Sequence, residues 1–411
     1  MNLARAMEIV ESLARLPVPD DSENLLKQVL SSDTSPTGWS VSLVYPPGAV
    51  FVRPVEALHL LSLVTSHAYS DDDLHDAYAW WGLLRYLGFF EHDASDQGHP
   101  TLRVSDAGKR VAGAQRRVAS EELGIAFGVL VATLHLRRGL DPGIPVGIAD
   151  VDLMLGGTGL GSSRRPDYML VVGPDEVWPQ GMVLSLECKG TSNPANRGEQ
   201  LTTAIEQLAK PLFGYSVPGL AVSTVTGARQ VSCVALELTD FKEEEHLQRD
   251  AYAREAFPEL TGALTSAALE ASWSMLGQYA GNQTAAMRWS PRKGKPTGLP
   301  GRDRERRLIF DSGYGPAIGV TTAFDLDDRQ LLVTWALDKQ VDDALSRGSS
   351  RGVLAAQEAV AAELDGIGSR QSTAEERNES ADSLDAEEQV VPGQTIESVM
   401  PDGSILSLTL R

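Results

Sequence analysis

Two short stretches place acids and a lysine where they could act together: Pro166-Asp167, and Glu187-Cys188-Lys189 further along. Each sits at one end of an apolar run, PDYMLVVG and MVLSLECKG, that reads as a strand. Strand side chains alternate, so Glu187 and Lys189 share a face while Cys188 takes the other. If the Asp167 strand pairs alongside, its carboxylate meets that of Glu187 within reach of one ion. Two carboxylates, the Cys188 main-chain carbonyl and waters form an oxygen-only ligand set that suits Mg²⁺, with Mn²⁺ able to substitute. Such an ion lowers the pKa of its water and screens charge on a phosphate under attack. Lys189 would orient that water or steady the added negative charge.

An acid-x-Lys triplet alone says little. With 56 acidic residues in 411, chance supplies about one such match to the lysines present, and Asp240-Phe241-Lys242 is a second. Context separates the two. Around the first, the order is a long helix (SEELGIAFGVLVATLHLRRG), three extended runs (GIADVDLML, PDYMLVVG, MVLSLECKG), a helix over GEQLTTAIEQLAKPLF, then GLAVSTV and QVSCVALEL. The near-continuous apolar character of MVLSL and VSCVAL predicts central strands buried on both faces.

Over about residues 118–240, Pro166-Asp167, Glu187-x-Lys189 and the following helix resemble the PD-(D/E)xK, or restriction-endonuclease-like, nuclease superfamily. The resemblance implies an α/β fold with a mixed central sheet flanked by helices. It also implies a Mg²⁺-dependent nuclease acting on DNA, double-stranded DNA favoured, with Asp167 and Glu187 as metal ligands and Lys189 assisting the water. The superfamily often draws a glutamine from the helix after the lysine. Here Gln200 and Gln207 lie seven residues apart on one helical face. It often draws a glutamate from the preceding helix, for which Glu121 and Glu122 are candidates; Glu122 is favoured because it shares a face with Ala126 and Val129. Such an enzyme suggests restriction or anti-phage defence, and cutting both strands with one active site invites a homodimer. Three other readings compete. The three residues could form ordinary surface ion pairs, the fold could be a catalytically silent DNA-binding scaffold, or the chain could be a nuclease subunit awaiting a partner ATPase or guide-bearing protein.

The flanks carry a second resemblance. Helical spacing from Pro54, a helix through DAYAWWGLLRYLGFF, a polar turn and TLRVSDAGKRVAG follow the order helix, helix, strand, turn, strand. This is similar to a winged-helix domain over residues 51–116, after an N-terminal helical and extended segment, 1–50. It implies Arg85, Arg103, Lys109 and Arg110 as phosphate partners. Arg164 and Arg165 lie in or beside a glycine-rich hairpin loop, LGGTGLGSSRRPD, that could bring them to a phosphate near the ion. Past the nuclease-like core of 117–240, residues 241–365 read as helices, a three-stranded meander and two more helices, a C-terminal α+β extension. The acidic stretch 366–392 is expected to be disordered, and 393–411 to end in a strand.

The formal net charge of −20 looks hostile to nucleic acid, but it is unevenly spread. Glu363 to Glu388 holds nine acids against two arginines; Arg288 to Arg307 holds eight basic residues against two acids. The latter stretch, with Arg292, Lys293 and Lys295, could clamp a phosphate backbone. The N-terminus, with Glu8 and Glu11, reads as an amphipathic helix rather than a signal peptide, and no apolar run of about 18 residues predicts a membrane span. Only two cysteines, Cys188 and Cys233, occur, both in strand-like runs. Buried thiols in a cytoplasmic protein are expected.

Overall fold

In the computed structural model, the apolar runs carrying Asp167 and Glu187 are neighbouring strands of one sheet. The structure describes residues 3–32, 38–66, 85–93, 98–141, 143–154, 165–174, 179–212, 217–227, 229–240, 258–291, 307–326, 329–378 and 394–411. The chain begins α1 (Leu3–Glu11), β1 (Ala14–Val18), α2 (Ser22–Leu30), β2 (Trp39–Leu43), β3 (Gly48–Val52), α3 (Pro54–Ser66), β4 (Phe90–Asp93) and β5 (Thr101–Val104). The middle is α4 (Gly113–Arg138), β6 (Val146–Asp150), β7 (Tyr168–Val172), β8 (Met182–Thr191), α5 (Arg197–Leu208), β9 (Gly219–Thr226) and β10 (Val231–Asp240). It ends α6 (Pro258–Tyr279), α7 (Gln283–Trp289), β11 (Leu308–Ser312), β12 (Gly315–Leu326), β13 (Arg329–Asp338), α8 (Lys339–Arg347), α9 (Ser350–Asn378), β14 (Thr395–Val399) and β15 (Ser404–Leu410). The fold is mixed α/β.

The central sheet has the order β2-β10-β9-β8-β7-β6. Only β8 and β9 run parallel, joined by the α5 crossover that a parallel pair requires. Every residue of β7 and β9 is buried, as expected of strands covered on both faces. α4 lies on one face and reaches β8 closely through two glycines. A Cβ on Gly124 would stand 2.6 Å from the Gly190 Cα, and one on Gly128 2.6 Å from the Cys188 Sγ. α5 packs on the sheet through Leu201, Ala204, Ile205 and Leu208, and α2 covers it from outside. Against the expectation of no run long and apolar enough to cross a membrane, α4 alone among the described helices reaches that length and apolarity, and two-thirds of its apolar window is buried within the protein.

Several expectations are corrected. The boundary set at residue 50 falls inside β3, and the first 50 residues supply strands to two sheets. β4 and β5 do form the expected hairpin, but β1 joins it at Arg15↔Thr101 to make a four-stranded sheet, β3-β1-β5-β4. β1 buries Ala14, Leu16 and Val18 in alternation. The boundary at 116 likewise falls within α4. The acidic stretch is helical over nearly its first half, since α9 runs to Asn378 through Ala374, Glu375, Glu376 and Arg377, all good helix formers. Residues 393–411 hold two strands rather than one, turning at Gly403 (φ 89°), and β15 pairs with β13 to extend the meander to five strands, β11-β12-β13-β15-β14. The helix expected through DAYAWWGLL, with Trp80 and Trp81, lies outside the described residues.

One buried group gives a stability prediction. His59 on α3 is fully buried, its Nδ1 3.0 Å from the Ser398 hydroxyl and its ring stacked on Tyr279. Burial pushes its pKa down to about 3. The unfolded chain therefore binds a proton below pH 6.5 that the folded chain refuses, so this contribution to stability is intact above pH 6.5 and lost as pH falls toward 3. Urea denaturation should show wild type losing about 1.4 kcal/mol per pH unit more than His59→Gln between pH 6 and 4.

Candidate active site

β7 and β8 pair antiparallel with Tyr168 opposite Leu186, a register that carries Asp167 opposite Glu187. Directly opposed residues project to the same face of a sheet. The two acids are tied by the backbone as well. The Asp167 N–H donates to Glu187 Oε2 at 3.1 Å, and the Cys188 N–H donates to Asp167 Oδ2 at 3.1 Å. Continued one place, the register sets Pro166 across from Cys188. Proline has no N–H, so it takes no ladder bond to the Cys188 carbonyl, which a ligand could then use. The Cys188 side chain faces α4, against Gly128, whereas Lys189 faces α5.

On that second face the Lys189 ammonium donates to Glu187 Oε1 and, at 2.9 Å, to Gln207 Oε1. Gln207 spends its other end on the Arg165 carbonyl, 3.1 Å away, just before Pro166-Asp167. One glutamine thus couples the lysine of β8 to the chain that delivers the aspartate. Gln200 plays a different part: it donates to the Gly190 carbonyl at 3.0 Å and accepts from the Ser223 hydroxyl at 3.1 Å, bracing β8 against β9. The two glutamines share the expected helical face, but only Gln207 bonds to the Asp167–Glu187–Lys189 group.

The electrostatics are strained in one direction. Glu187 has no exposed surface; burial raises its pKa to about 7, repulsion from Asp167 adds to the rise, and Lys189 opposes it. Burial also raises Asp167, against the Cys188 N–H and Lys189, with Asp150 adding repulsion. Two carboxylates facing one ammonium leave an excess of negative charge in a poorly solvated place, which a divalent cation would relieve. The donor set is oxygen only, as Mg²⁺ prefers, and two carboxylates leave room for the waters that ion retains. Among the described residues no group of three or more His, Cys, Asp or Glu is arranged to hold a metal. The residues present fit an ion held partly by water and not a full protein cage.

The other expected residues are dispersed. Glu122 bonds to Arg85 and to the Tyr86 hydroxyl instead of joining Asp167 and Glu187, and Glu121 is exposed. Arg103 pairs with Glu91 at 3.1 Å, and Lys109 pairs with Asp106 at 3.0 Å and Glu91 at 3.7 Å, so part of that basic stretch is already neutralised. Arg110 is exposed. Arg165 pairs with Asp152. Arg164, Arg292, Lys293 and Lys295 lie outside the described residues. Two acids escaped the sequence reading. Asp150 ends β6 opposite Tyr168 and accepts from the Leu153 N–H at 2.8 Å, turning the chain into a short helical turn where an extended run was expected. Asp152 sits in that turn. Only the β6–β7 register reveals their nearness. Comparison of the chain with protein-family models, with curated proteins and with solved structures gives no match.

Proposed function

We propose that this chain is a Mg²⁺-dependent nuclease of the PD-(D/E)xK kind that hydrolyses phosphodiester bonds in DNA. The observation that carries this reading is the convergence of Asp167, Glu187 and Lys189 where β7 begins beside the middle of β8, with Gln207 holding the lysine. Asp167, Glu187 and the Cys188 carbonyl would hold the ion. Bound there, Mg²⁺ supplies Lewis-acid screening of phosphate charge and a water of lowered pKa. The protein supplies the rest. Glu187 and Gln207 fix the ammonium, so its charge is pre-aimed and no reorganisation is needed when negative charge grows on the phosphate. The Gln207 bridge keeps that ammonium in register with the Asp167 strand start. In this reading the β4–β5 hairpin and α3 belong to a winged-helix DNA-contacting module, and the enzyme serves restriction or anti-phage defence in the cytoplasm.

A titration of Mg²⁺ or Mn²⁺ against plasmid, linear duplex and single-stranded DNA tests the reading. Wild type should cut in a metal-dependent way, and Lys189→Ala and Glu187→Ala should not. Equal cutting by the variants, or none by wild type on any substrate, would overturn it. Gln207→Leu removes both bonds of the bridge and should lower kcat about tenfold with KM little changed, while Gln207→Glu, which can still accept from Lys189, should recover part of the loss. Single-turnover rates over a range of DNA concentrations check this; a change confined to the half-saturating concentration would count against a positioning role.

A further inference from the structure

The register that sets Asp167 across from Glu187, carried on two places, sets Arg165 across from Lys189. Gln207 meets both residues, accepting from the Lys189 ammonium and donating to the Arg165 carbonyl. Residues two apart in an extended chain project to one face and stand about 7 Å apart. An arginine side chain spans that distance, so the Arg165 guanidinium has the reach to meet a phosphate beside Asp167. In this structure it is turned instead toward β6, where it pairs with Asp152 in the turn after that strand. The turn is pinned by the Leu153 N–H, which donates to Asp150 Oδ1 at 2.8 Å.

A phosphate entering this site needs a cation that is not already engaged by the acids. Lys189 acts on both carboxylates and donates to Glu187 and Gln207, and the two acids still outnumber it. Arg165 is a second cation whose backbone the same glutamine holds. Its pair with Asp152 is a weak one, because the Asp152 side chain is 60% exposed and that of Arg165 29%. A phosphate offers the guanidinium paired, charge-assisted hydrogen bonds in place of this solvated contact. Resting on the nuclease reading above, we infer that Asp152 is a latch: it holds Arg165 aside in the free protein, and a backbone phosphate of DNA takes the guanidinium over. The exchange gives up one exposed ion pair and brings a second positive charge to a site short of it.

Fluorescence anisotropy with a labelled DNA duplex, in EDTA so that no hydrolysis competes, tests the latch on the full chain. Asp152→Asn should bind about two- to fivefold tighter than wild type, the range set by an exposed ion pair. Arg165→Ala should bind more weakly and lower the slope of log K against log salt by about one, the signature of one lost phosphate contact. In the double variant the gain from Asp152→Asn should vanish. Asp152 is exposed, and Arg165 meets Gln207 through its carbonyl, so neither substitution removes the Gln207 bridge. No gain in Asp152→Asn would overturn the inference. So would a gain that persists in the Arg165→Ala background, which is what loss of any nearby negative charge produces. A wild type that binds but never cuts with Mg²⁺ strikes the nuclease reading alone.

Discussion

Replacing Lys189 by alanine is expected to lower Mg²⁺-dependent cleavage of duplex DNA by about 10²- to 10³-fold, the usual cost of removing one pre-aimed charge from a reacting centre. The effect should fall on kcat, because the ammonium is already fixed by Glu187 and Gln207 before substrate arrives. Lys189→Arg should not restore activity: a planar guanidinium presents a different donor geometry where a compact ammonium now meets two oxygens. Single-turnover rates for the three proteins, at saturating DNA and Mg²⁺, measure this. Binding should remain close to wild type, since an ammonium already paired with Glu187 adds little to the phosphate attraction that dominates DNA affinity.

The second large effect concerns stability without metal. Glu187 is raised to about 7 by burial and by Asp167, well above an unfolded glutamate. The folded chain therefore binds more protons than the unfolded chain between about pH 4.5 and 7. Stability contributed by this group is fully present below the unfolded value and is lost as pH climbs through the folded one, a change on the order of 3 kcal/mol. In EDTA, Glu187→Gln should match wild type near pH 5 and exceed it at pH 8, because a neutral amide needs no counter-charge. Added Mg²⁺ should raise the wild-type Tm at pH 8 and much less at pH 5.5, where protons compete for the carboxylates. The variant should respond at neither pH. Thermal denaturation at the two pH values, with EDTA or 10 mM-scale Mg²⁺, distinguishes these outcomes; a wild type indifferent to Mg²⁺ at pH 8 would count against a metal at this place.

The order of elements around the acids was legible because β7, β8, β9 and β10 are continuous apolar runs and α4 and α5 are long enough to show a helical period. Alternation alone put Glu187 and Lys189 on one face, and the seven-residue spacing put Gln200 and Gln207 on another. What escaped is non-local or short. β1 and β14 have only five residues each, one interrupted by Pro17 and the other carrying Glu397, and their burial is decided by partners far along the chain. β2 pairs with β10 across nearly 200 residues, which no local pattern announces. Gly124 and Gly128 look like weak points in a helix until β8 is seen pressed against them. The division of labour between the glutamines depends on which carbonyl each meets, and Asp150 enters the site only through the β6–β7 register. Arg103 and Lys109 read as free cations in sequence because Glu91, across the hairpin, is their neighbour only in space.

The proposed chemistry requires Asp167 and Glu187 to share one divalent ion. Crystals grown with Mn²⁺ and measured at the manganese absorption edge test this most directly. An anomalous peak should lie within ligand distance of both carboxylates and of the Cys188 carbonyl, and it should vanish in Asp167→Asn. A fully occupied Mn²⁺ bound elsewhere, with these two carboxylates untouched, would contradict it.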